Sequence, residues 1–163
     1  ARGVGVVYGG ASVGLMGAVA DAALAAGGHV TGVIPSALLA KEIAHGGLTE
    51  LRVVSSMHER KALMSDLSDA FVAVPGGWGT CEELFEVVTW AQLGLHRKPC
   101  GLLNVHGYFD PLLAFVAHAV EEGFIRREHA SLIGVSRSAE PLLELLSTHS
   151  PPPVEKWLDR AST

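Results

Sequence analysis

The stretch Gly5-Val6-Val7-Tyr8-Gly9-Gly10-Ala11-Ser12-Val13-Gly14-Leu15-Met16-Gly17 decides the fold class. Residues Gly5 to Tyr8 form a short β-type apolar run, and a glycine-rich turn follows at once. From Leu15 to Ala26 the chain is rich in alanine, with Leu15, Val19, Ala22, Ala23 and Ala26 at helical spacing. Gly27-Gly28 stops that helix, and His29 to Ile34 reads as a second strand ended by Pro35. Strand, glycine turn, helix and strand in this order are the signature of a parallel sheet covered by helices.

The alternation continues outward from this unit. Leu51 to Val54 reads as a strand, His58 to Leu67 as a helix, Ala70 to Val74 as a buried strand, and Cys81 to Leu95 as a long helix. Gly101 to Val105 and Ile133 to Ser136 are further strands, with helices expected over Pro111 to Glu122 and Pro141 to Leu146. The expected fold is therefore α/β, a single doubly wound domain with a parallel sheet over residues 1–150. The triple proline Pro151 to Pro153 then leaves residues 151–163 as a short C-terminal tail. In open sheets of this kind ligands bind at the carboxyl ends of the strands. Two glycine-rich loops follow strands ending at Tyr8 and Val74, and both are expected to line the ligand crevice.

Of the 163 residues 48% are apolar, enough for a sizeable core, and the formal net charge of -5 disfavours some partners. Mild acidity argues against a nucleic-acid polymer or an anionic membrane, since basic residues occur only in pairs such as Arg60-Lys61 and Arg126-Arg127. There is no run of about 18 apolar residues, and the first residues do not form a signal peptide. The two cysteines, Cys81 and Cys100, lack a C-x-x-C pattern, so a reduced cytoplasmic protein is expected. Arg2-Gly3-Val4 runs straight into strand-like sequence, which suggests an upstream element outside this sequence.

The strongest chemical signal is Pro75-Gly76-Gly77-Trp78-Gly79-Thr80-Cys81-Glu82-Glu83. Three glycines let the backbone approach a ligand closely, and a helix starting near Cys81 would turn its unpaired N–H groups and positive dipole end toward a phosphate. Thr80 could cap that helix and donate its hydroxyl to the anion. The plainer reading is a sharp turn, with Thr80-x-x-Glu83 serving only as a capping box. The spacing is neither a P-loop nor a dinucleotide fingerprint, which disfavours a nicotinamide oxidoreductase. A third feature is Met57-His58-Glu59-Arg60-Lys61 at a helix start. Arginine there could fork onto a phosphate or ribose oxygen, or the segment could be a solvated helix end.

Taken together, Gly9-Gly10-x-Ser12-Val13-Gly14-Leu15-Met16-Gly17, Met57 to Lys61 and Pro75 to Glu83 resemble the Lonely Guy family. Glu42-x-x-His45-x-Gly47-Leu48-Thr49-Glu50-Leu51, Thr89-Trp90-x-Gln92-Leu93-Gly94 and Lys98-Pro99 also look like it, so the resemblance runs to about Leu146. The resemblance implies a Rossmann-like fold whose usual first strand and helix are missing here, and Ala11 stands where a third glycine is common. It implies a cytokinin riboside 5′-monophosphate phosphoribohydrolase, cleaving the N-glycosidic bond of an N6-substituted AMP, or AMP, into free base and ribose 5-phosphate.

On that resemblance Glu83 is the catalytic carboxylate, beside an oxocarbenium-like ribose, and Arg60 holds the phosphate or balances Glu83. Glu42, Met57, Lys61, Gly76, Gly77, Trp78, Gly79, Thr80, Cys81, Glu82 and Thr89 are expected to bind the nucleotide. The resemblance also implies a homodimer. The helix around Val87, Val88, Ala91 and Leu95 reads as a core face or a dimer face, with core favoured. No metal or cofactor is required, since the eight histidines show no close ligand pair. Cys81 at a helix start could have a lowered pKa, but no base partner is evident for it. Lysine decarboxylation needs a Schiff-base lysine, and Lys41, Lys61, Lys98 and Lys156 lack a recognisable context for one. The alternative class is a nucleotide- or cofactor-binding carrier that uses the same loop without hydrolysis.

Overall fold

The computed structural model describes residues 3–39 and 44–148. It is α/β, built on parallel strands flanked by helices, as expected. Two compact units divide the chain, Ala1–Ser68 and Asp69–Thr163.

In the first unit β1 (Val6–Tyr8), β2 (Val30–Pro35) and β3 (Glu50–Val54) pair in that order, all parallel. Helix α1 (Gly14–Ala25) makes the crossover from β1 to β2, and α2 (Met57–Leu67) follows β3 and packs on the same sheet. Strand β2 is the middle strand and is buried at every residue. A strand covered on both faces reads as an unbroken apolar run, which is why Val30, Val33 and Ile34 mark the core. Two glycines serve close backbone approach. A β-carbon on Gly32 would come within 2.8 Å of the Gly10 Cα, so the first glycine turn rests directly on β2. Gly10 itself has φ +81°, a backbone conformation that side-chain-bearing residues rarely adopt.

The second unit repeats the scheme with β4 (Phe71–Ala73), β5 (Cys100–Leu103) and β6 (Ile133–Ser136), again parallel with β5 in the middle. Helix α3 (Trp78–Gln92) joins β4 to β5, and α4 (Asp110–Glu121) with the short α5 (Arg127–Ala130) joins β5 to β6. Helix α6 (Ala139–Thr148) closes over β5 and β6, where Leu142 and Leu146 lie against Gly101. Leu84 of α3, Leu102 of β5 and Phe109 form the core, with Val88 packed against them. Ala91 is buried as well, so Val88 and Ala91 belong to the core face, while Leu95 is 69% exposed.

The strand expected over Gly101 to Val105 ends at Leu103, with the Asn104 N–H still donating to the Ser136 carbonyl at 2.7 Å. Asn104 Oδ1 accepts from the Phe109 N–H at 2.7 Å, and Nδ2 donates to Asp110 Oδ1 at 2.7 Å. A 3-10 turn, Val105–Gly107, follows, with His106 at φ 52°. No helix among the described residues is long and apolar enough to cross a membrane.

Candidate active site

Helix α3 begins at Trp78, three residues before the expected start near Cys81, with Gly77 as its N-cap. This overturns the reading of Thr80 as the cap. Counting from Trp78 as the first helical residue, Thr80 is third and Glu83 sixth, whereas a capping box needs its acid at the third position. Packing decides the start: Leu84 and Val88 dock on the core, and Thr80, one turn before Leu84, lies on the same side and is half-buried over Gly76. A β-carbon at Gly76 would overlap Thr80 Oγ1 and sit 2.9 Å from Thr80 Cβ, so Gly76 is the seat of that threonine.

The N-terminus of α3 carries no side-chain cap and no acidic residue in its first turn. Its first N–H groups have no partner within the helix, and the dipole places partial positive charge there. Gly77 and Gly79 flank this end. A β-carbon on either would meet nothing within 4 Å, and neither has a positive φ. Neither a positive φ nor packing within the chain therefore demands glycine at these two positions, although Gly77, at φ -97° and ψ -144°, lies outside the regions that side-chain-bearing residues favour. What remains is an unobstructed approach to the helix end, which an anion needs. The turn is also held from the far side: the Tyr108 hydroxyl donates to the Gly76 carbonyl at 2.6 Å. Sequence reasoning passed over Tyr108. Its one signal is position, in the loop beyond the carboxyl end of β5, where open α/β sheets place their functional residues.

Along α3, Glu83 is half-buried in the second turn, with Cys81 half-buried and Glu82 exposed before it. Gly76 to Glu83 thus lie within the turn and first two helical turns. Thr89 is exposed and lies about 9 Å further along the axis from Glu83. Glu82 and Thr89, seven residues apart, share the outward stripe with Phe85 and Trp78, which is 93% exposed. Cys100, the other cysteine, is buried at the start of β5, and burial pushes its thiol up to about 12. That removes it as a nucleophile at neutral pH. Among the described residues no group of three His, Cys, Asp or Glu side chains is placed to hold a metal ion.

In the first unit the helix start is built the opposite way. Ser56 caps α2, accepting the Glu59 N–H at 3.2 Å, and Glu59 Oε2 accepts from the Ser55 N–H at 2.7 Å and the Ser55 hydroxyl at 2.6 Å. Those bonds, the hydroxyl's first, hold the Glu59 carboxyl below the usual carboxylate range. The reach-back falls on Ser55, one residue before the cap, so this is a capping-box variant, and its S-x-x-E spelling, Ser56-Met57-His58-Glu59, was legible without the structure. With its end closed by its own side chains, α2 offers an arginine rather than a helix terminus. Arg60 is only 7% exposed. Its Nη2 donates to the Gly9 carbonyl at 3.3 Å, and Nη1 points at the Met57 sulfur at 3.7 Å. Its Nε is buried with no hydrogen-bond partner among the described residues. An unmade bond at a buried charged donor costs about 1–3 kcal/mol, so the guanidinium is held short of its full set of partners. Met57 is exposed, Lys61 is half-buried, and Glu42 lies outside the described residues.

Parallel sheets under crossover helices, with an uncapped helix N-terminus behind a glycine turn, define a Rossmann-like α/β protein equipped for an anionic ligand. The sequence model of the family described as "Possible lysine decarboxylase" matches residues 16–146. A "Probable cytokinin riboside 5'-monophosphate phosphoribohydrolase" of Oryza sativa subsp. japonica is 54% identical over 151 residues, covering 93% of this chain and 62% of the rice protein. A "Cytokinin riboside 5'-monophosphate phosphoribohydrolase" of Rhodococcoides fascians is 58% identical over 136 residues, 83% of this chain and 69% of that protein. One of the same name from Arabidopsis thaliana is 51% identical over 150 residues, 92% of this chain and 70% of that protein. The chain belongs to the Lonely Guy family, and it spans about 62% of the length of the first rice relative.

Proposed function

We propose that this chain hydrolyses the N-glycosidic bond of cytokinin riboside 5′-monophosphates, N6-substituted AMP or AMP itself, giving free base and ribose 5-phosphate. One observation carries the reading: Gly77 and Gly79 leave open space at an uncapped helix N-terminus, and the same helix presents Glu83 in its second turn. The relatives' names supply the substrate class.

The first N–H groups of α3 take the 5′-phosphate, with Thr80 adding a hydroxyl, and Lys61 is a further nucleotide-binding residue. The C1′–N9 bond breaks with its electron pair passing to the purine, which takes up the proton that Glu83 collects from the attacking water. Water adds to C1′ and gives its proton to Glu83, whose negative charge also stabilises the oxocarbenium-like centre. Arg60 holds a phosphate or ribose oxygen through its guanidinium, whose Nε–H has no partner among the described residues. Glu42, Met57, Cys81, Glu82 and Thr89 complete nucleotide binding. A homodimer fits the outward stripe of α3, where Trp78, Phe85 and Leu93 stand exposed.

The direct test follows release of free base and ribose 5-phosphate from isopentenyladenosine monophosphate, AMP and their nucleosides. Turnover of the monophosphates with little turnover of nucleosides is expected. Tight nucleotide binding without release would instead identify a non-hydrolytic carrier. Gly79→Ala separates the phosphate approach from mere turn geometry. Alanine suits a helix better than glycine by up to about 1 kcal/mol, so the melting temperature holds or rises. The added methyl meets the incoming phosphate, and kcat/KM falls ~10- to 100-fold. Full activity in that variant would rule out close approach at Gly79.

A further inference from the structure

We propose that Gly9 is a positioning residue for Arg60: its missing side chain is the seat of the guanidinium. The inference rests on the role given to Arg60 above and explains a glycine that neither backbone geometry nor main-chain packing requires.

The glycines of the first unit sort by what a β-carbon would meet. Gly10 and Gly14 have positive φ and are needed by the backbone. At Gly17 a β-carbon would overlap the Ser12 carbonyl, and at Gly32 it would press on the Gly10 backbone. Gly9 fits neither group. It has no positive φ, and the three atoms nearest to a β-carbon there all belong to the Arg60 side chain. The methyl would overlap Nη2 and lie 3.0 Å from Cζ. The same residue's carbonyl accepts from Nη2 across 51 positions of sequence, and both residues are buried. Gly9 thus provides both the space and the hydrogen-bond acceptor that fix the guanidinium at the carboxyl end of β1.

Because the displaced atoms are the far end of a flexible side chain, Gly9→Ala should fold. The chain accommodates the methyl by swinging the guanidinium away from the Gly9 carbonyl, so the larger loss appears in function and a smaller one in stability. The experiment is a double-mutant cycle on Gly9→Ala and Arg60→Ala in the intact chain. It reads kcat and KM for isopentenyladenosine monophosphate, the Kd for ribose 5-phosphate, and the melting temperature.

Gly9→Ala alone is expected to lower kcat/KM on the order of tenfold or more and to weaken ribose 5-phosphate. In the Arg60→Ala background the same change should alter both by less than about twofold. Wild-type kcat/KM in Gly9→Ala, or an equal loss in both backgrounds, overturns the proposal. If Gly9→Ala unfolds the chain but the double variant folds, the methyl collides with Arg60 and the proposal stands. If both unfold, Gly9 serves the turn alone and the proposal falls. Wild-type turnover in Arg60→Ala would instead overturn the assigned function of Arg60. The seat itself would then still be decided by whether the melting temperatures of the four proteins couple.

Discussion

Glu83→Gln is expected to cut turnover of a cytokinin riboside monophosphate by ~10²–10⁴-fold, the usual worth of a positioned acid–base carboxylate. Glutamine keeps the size and loses both the charge that faces the oxocarbenium-like ribose and the site that takes the water's proton. Nucleotide affinity should change by only a few-fold, because the proposed phosphate site is the start of α3 and not the carboxylate. Thermal stability supplies the second half of the test. If Glu83 were the acid of a capping box, its loss would cost about 1 kcal/mol of helix stability. As the sixth residue of α3 it lies outside the capping-box position, so its loss should not carry that cost. Wild-type turnover, or inactivity explained by lowered stability, would sink the assignment.

Arg60→Ala is expected to weaken ribose 5-phosphate by ~10- to 100-fold, the range of a lost charge-assisted hydrogen bond. Turnover should fall with it. Arg60→Lys should restore little, since a point charge cannot copy the fork that reaches the Gly9 carbonyl while keeping further donors available. An unchanged affinity for ribose 5-phosphate would contradict a phosphate role. Loss of kcat with intact affinity would assign Arg60 to the chemical step rather than to phosphate binding.

Much of this protein was readable before any coordinates. Strand, glycine turn and helix alternate with clear hydrophobic periods, and each period is a local property of ten or so residues. The six strands and the main helices accordingly fall where the pattern puts them, within a few residues at their ends. Short elements escaped: α5 has four residues, and the 3-10 turn after β5 three, too few to show any period. The helix start at the glycine turn was misplaced for a different reason. Glycines at 77 and 79 look like loop, but the docking of Leu84 and Val88 on the core carries the helical phase back to Trp78.

The sequence by itself determined the α/β class, the family, and the run of residues from Pro75 to Glu83 on which the phosphate reading rests. Those depend on local spacing and on the kinds of residue present. Only the tertiary structure decided that Glu83 lies outside the capping position, that Glu59 reaches back to Ser55, and that Gly9 houses the Arg60 guanidinium. Each is settled by where a helix stops being hydrogen-bonded or by which atoms fill a missing β-carbon's place. In the last case the two partners stand 51 residues apart, a distance over which local pattern carries no information.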